Sequence, residues 1–104
     1  MHRKEIVNQI GSRMKEIAPW ATTILFGSQA RDEAREDSDI DLLILIPDNL
    51  KEDFTRVRGL IADALFEIEL DHNVLLSPLI LLQEMWNSKT TPFTCNVNKD
   101  GILL

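Results

Sequence analysis

Thr22-Thr23-Ile24-Leu25-Phe26-Gly27-Ser28, followed after ten residues by Asp39-Ile40-Asp41-Leu42-Leu43-Ile44-Leu45-Ile46-Pro47, decides the fold. The first run is mostly β-branched or aromatic and stops at Gly27-Ser28, which predicts a short buried strand over Ala21 to Phe26. In the second, side-chain alternation puts Ile40, Leu42, Ile44 and Ile46 on one face and Asp39, Asp41, Leu43 and Leu45 on the other. Apolar residues on both faces predict a central strand covered on both sides, closed by Pro47.

Outward from this pair the periodicity turns helical. Ile6, Ile10, Met14 and Ile17 recur at intervals of three and four, an amphipathic helix that ends before Pro19. Asn49 with Glu52 resembles a capping box, and beyond it Phe54, Val57, Ile61, Leu65 and Ile68 share one helical face. Asp71 to about Leu81 is apolar enough for a third strand, and Pro78 places its later part at a sheet edge or bulge. A short helix around Gln83-Glu84-Met85-Trp86 follows, and the tail reads as a last helical turn ended by Gly101, with Ile102 and Leu103 folded back on the core. The sum is an α/β (α+β) layer structure, a small mixed sheet of about three strands with flanking helices, over a single domain 1–104.

Composition narrows the function. At 104 residues, 44% hydrophobic and 27% charged, the chain has the make-up of one folded domain. A formal charge of -6 repels nucleic-acid phosphate and argues against nucleic acid as a partner. No apolar run approaches the ~18 residues of a membrane span. Cys95 is a lone cysteine and Met1-His2-Arg3-Lys4-Glu5 precedes no apolar leader core, so the expected setting is a reducing cytoplasm. Cys95 reads as a buried or half-buried thiol, Trp20 and Trp86 as core or rim packing, and His2 and His72 lack partners at any metal-site spacing.

Two features carry chemistry. Gly27-Ser28 ends a strand and opens the segment Gln29-Ala30-Arg31, where backbone N–H groups and a helix dipole suit phosphate. The same two residue types also serve a tight turn and an N-cap. Asp39 and Asp41, two apart on a strand, point to one side and repel each other unless a cation lies between them. A divalent metal would bridge such carboxylates to a triphosphate, although a polar strand start after Glu36-Asp37-Ser38 fits the same residues.

Together, Phe26-Gly27-Ser28-Gln29-Ala30-Arg31 and Ser38-Asp39-Ile40-Asp41-Leu42 resemble the signature of the DNA polymerase β-like nucleotidyltransferases, in their minimal nucleotidyltransferase (MNT) branch. The resemblance extends to Pro92-Phe93 and Lys99-Asp100-Gly101-Ile102, so it covers essentially the whole chain. It implies that Gly27 and Ser28 hold the β and γ phosphates of a nucleoside triphosphate, ATP by expectation. Asp39 and Asp41 then bind its Mg2+, and Arg31 supports phosphate or pins the loop. The family's third carboxylate, metal ligand and proton acceptor, falls by this reading on Asp71, with Glu69 and Asn73 as alternatives on the same face. Asp32 stands where many members carry glycine. The implied activity is transfer of AMP to a hydroxyl. The implied acceptor is a tyrosine of a small helical HEPN-type toxin for which the MNT protein is the antitoxin. The alternative is a catalytically degenerate domain that neutralises its partner by contact alone.

Overall fold

The computed structural model describes residues 3–27 and 39–104. Their elements run α1 (Arg3–Ile17), β1 (Thr22–Phe26), β2 (Ile40–Ile46), a 3-10 helix (Asp48–Asp53), α2 (Phe54–His72), β3 (Leu76–Leu82), α3 (Gln83–Asn87), α4 (Pro92–Asp100) and β4 (Ile102–Leu103). The strands form one mixed sheet in the order β3-β2-β1-β4. β1 pairs antiparallel with β2 and β4, whereas β3 lies parallel to β2. A parallel neighbour needs a crossover, and α2 supplies it.

The two faces of β2 bury against different helices. Ile40, Leu42, Ile44 and Ile46 pack with Ile6, Ile10 and Met14 of α1 and Val57, Ile61, Leu65 and Ile68 of α2. On the other face Leu43 and Leu45 meet Trp86 of α3 and Val97 of α4, with Ile24, Phe26 and Leu81 beside them. The expectation of a doubly covered central strand thus holds, and β3, with Pro78 in it, is an edge strand. Proline has no N–H to give a ladder, so an edge tolerates it.

Several local expectations are corrected. α2 runs through Asp71 to His72, so no strand begins at Asp71. Asn73 stops the helix in the left-handed conformation (φ 51°, ψ 48°), which asparagine tolerates, and the Glu69 carboxylate accepts the Leu76 N–H at 3.2 Å. His72 ends the helix beside Gln9, its Nε2 2.5 Å from Gln9 Oε1. Asn49 and Glu52 form no capping box: they lie in the 3-10 helix, and α2 starts without a side-chain cap. The reciprocal box sits instead at α4, where Thr91 and Thr94 exchange side-chain to backbone hydrogen bonds of 3.0 and 3.2 Å.

Among the described residues the sheet has four strands where about three were expected, because Ile102 and Leu103 pair with Leu25 and Ile24. These two side chains are exposed, and it is Leu104 that packs on the core, its N–H bonded to Thr23 O at 2.9 Å. Cys95 is exposed, not buried, since Thr94 and Val97 take the inward positions of α4. Trp86 is buried and Trp20, 39% exposed, lies at the rim, as expected. Among the described residues no helix is long and apolar enough to cross a membrane.

Candidate active site

β1, β2 and β3 bring one row of side chains to the face covered by α3 and α4. In the ladders Phe26 is opposite Asp41, and Asp41 is opposite Ser77, so the three share that face. Asp39 precedes β2 by one residue and is exposed, while Asp41, inside the strand, is half-buried. Ser77 Oγ donates a hydrogen bond to Asp39 Oδ2 at 3.1 Å. The pair expected from spacing is therefore on one side of the sheet, with Asp39 tied to β3 by a hydroxyl.

Gly27 completes the arrangement. It leaves β1 with φ +74°, a conformation in which an L side chain is strained, and a Cβ built there would collide with the Asp41 carboxylate. The backbone at the turn thus lies close on Asp41, and a side chain at position 27 would be strained and would have to displace the carboxylate. Ser28 and Arg31, the other expected nucleotide-binding residues, lie outside the described residues, as does Asp32.

Asp71 is not brought to the pair. It sits on the last turn of α2, and α2 packs on the opposite face of the sheet. There Asp71 lines an open cavity of about 330 Å³ with Gln9, Ser12, Arg13 and Glu67. The two alternatives also fail: Glu69 is engaged with the Leu76 N–H, and Asn73 forms the helix stop. The placement errs because the helix outlasts the expected strand start, which moves every residue from Glu69 to Asn73 off the sheet. The β3 residue that faces the aspartates is Ser77, which the sequence reading passed over; a polar residue in the run Leu75-Leu76-Ser77-Pro78-Leu79 was its one visible signal. Among the described residues no group of three or more His, Cys, Asp or Glu is placed to hold a metal ion. Asp71→Asn should accordingly leave nucleotide transfer within about twofold of wild type, since a positioned base would cost at least ~100-fold. A larger loss in an assay of the folded variant would return Asp71 to the site.

The glycine turn pressed on a strand aspartate is matched at the level of the whole chain: a family model described as nucleotidyltransferase domain covers residues 7–100. The chain belongs to this family. Among solved structures, this nucleotidyltransferase domain is similar to the crystal structure of a toxin-antitoxin with AMP-PNP, at 16% identity and TM-score 0.59, over 98% of this chain and 72% of that one. It is also similar to a protein from Sulfolobus solfataricus described as a candidate nucleotidyltransferase, at 23% identity and TM-score 0.48, over 96% of this chain and 73% of that one. At such identities the likeness of the toxin-antitoxin structure is one of fold. No curated protein matches the sequence.

Proposed function

We propose that this domain transfers AMP from ATP, with Mg2+, to a hydroxyl on a protein partner, in a toxin-antitoxin pair whose toxin is a small helical HEPN-type protein and whose acceptor is a tyrosine. The observation that carries the reading is the contact of Gly27 with Asp41: it sets the left-handed end of β1 against a carboxylate on one sheet face, inside a family of nucleotidyltransferases. The toxin-antitoxin structure of the same fold, with an ATP analogue, supports the choice of nucleotide and partner.

The residues present fit a divalent cation. Asp39 and Asp41 are hard oxygen donors on one face, and the lack of a side chain at Gly27 leaves room there for the Asp41 carboxylate itself. These two would hold Mg2+, leaving its remaining positions to water and phosphate; bound there, the ion neutralises charge on the phosphate oxygens. In the transfer the acceptor oxygen bonds to the α-phosphorus, the bond to the bridging oxygen breaks, and pyrophosphate leaves. The Gly27 turn grips the phosphates and Asp41 fixes their position relative to the sheet. β3 offers Ser77, a hydroxyl and not a carboxylate, on the face of the aspartates, and the proton of the acceptor hydroxyl passes to water.

Ser77 also favours a second reading. A hydroxyl in place of a carboxylate on β3 suits a domain that has lost turnover and neutralises its partner by contact. Co-incubation with ATP, Mg2+ and the HEPN-type partner, followed by mass spectrometry of the partner, separates the two. A gain of one AMP supports transfer. An unmodified yet neutralised partner would leave contact alone.

A further inference from the structure

On the face of the sheet that carries Asp41, α4 stands beside the end of β1 and leaves a cavity of about 170 Å³, walled by Phe26, Gly27, Phe93, Asn96, Val97 and Asp100. Gly27 belongs both to this cavity and to the contact with Asp41, so the two spaces adjoin. Pockets that enclose a whole drug-sized ligand run from roughly 300 Å³ upward. This cavity therefore suits part of a nucleotide, and its walls suit a flat part.

Phe93 is fixed in place by edge contacts with Phe26 (centroids 5.6 Å, planes at 80°) and Trp86 (6.1 Å, 86°), yet stays 46% exposed. Such a ring, held without being covered, presents a face on which a flat group can stack. Asn96 and Asp100 stand one helical turn apart on α4 and both line the cavity. The amide offers a donor and an acceptor and the carboxylate accepts, which matches the mixed edge of a base rather than another phosphate, which a carboxylate would repel.

We propose that this cavity seats the purine base of the nucleoside triphosphate, its ring against Phe93 and its polar edge on Asn96 and Asp100. The assignment rests on the nucleotidyltransferase reading above, and it supplies the base selectivity that the glycine turn and the aspartates lack.

Calorimetric titration of the full chain, in Mg2+, with ATP, UTP and tripolyphosphate tests it. Tripolyphosphate has the phosphates and no base. Wild type should bind ATP more tightly than UTP and than tripolyphosphate. Phe93→Ala should weaken ATP by roughly 5- to 100-fold, the usual worth of base–aromatic stacking, and leave tripolyphosphate unchanged. Asn96→Ala, at an exposed position, should do the same to a smaller degree and guards against a folding effect at Phe93. Variants that bind ATP as wild type does, or a wild type that binds ATP no better than tripolyphosphate, would overturn the base site, and equal affinity for UTP would overturn the purine. If neither nucleotide nor tripolyphosphate binds, the nucleotidyltransferase reading falls first and this one with it.

Discussion

Asp41→Asn should abolish nucleotide transfer to within ~1% of wild type or less while the domain stays folded. An amide is a weak ligand for a hard cation, and losing the several kcal/mol of charge stabilisation that a carboxylate-held ion gives a phosphoryl centre corresponds to ~100- to 1000-fold in rate. The domain should stay folded, because the substitution keeps the shape of the side chain at a half-buried position. Asp39→Asn should follow it in transfer, and an amide oxygen can still accept the Ser77 hydroxyl. The partner's adenylation rate and a thermal melt, taken on the same preparations, check both halves. A folded Asp41→Asn protein that still transfers at a tenth of the wild-type rate would remove Asp41 from the metal site.

Gly27→Ala should damage fold and function at once. A left-handed φ costs an L residue about 1–2 kcal/mol, and the added Cβ meets the Asp41 carboxylate besides. For a domain of this size that is a fall in Tm of roughly 5–15 °C. Because the clash has two sources, a second substitution tells them apart: in an Asp41→Ala background the contact is gone and only the backbone strain remains, so Gly27→Ala should there cost clearly less. Equal costs in both backgrounds would mean that the turn and the aspartate are independent.

What could be read from the chain follows the range of the interactions involved. The alternation of Ile40, Leu42, Ile44 and Ile46 with Leu43 and Leu45 records burial on both sides, and that burial is what the structure shows. That Asp39 and Asp41 share one side of the sheet next to Gly27 was legible because this placement depends on one turn and one strand. Asp71 was misplaced because Leu70-Asp71-His72 suits a helix end and a strand start equally, and the deciding event is a left-handed Asn73 backed by Glu69. Ser77 and the Phe93 cavity depend on a parallel register and on how α4 crosses the sheet, which no local pattern encodes. β4, two residues long, exists only because the edge of β1 is there to receive it.

The edges of the sheet bear on how copies of the chain behave toward each other. Leu42 to Ile46 is five consecutive aliphatic residues without a charge, the kind of segment that stacks into intermolecular cross-β when it is laid bare. In the fold it is shielded on both flanks, by β1 on one side and β3 on the other. The outermost strands offer a poor template for templated growth: β3 is interrupted by Pro78, which donates nothing to an incoming strand, and β4 is over after Leu103. Pro78, of no use to any chemistry at Asp39 or Asp41, thereby guards the most aggregation-prone stretch of the protein from its own kind.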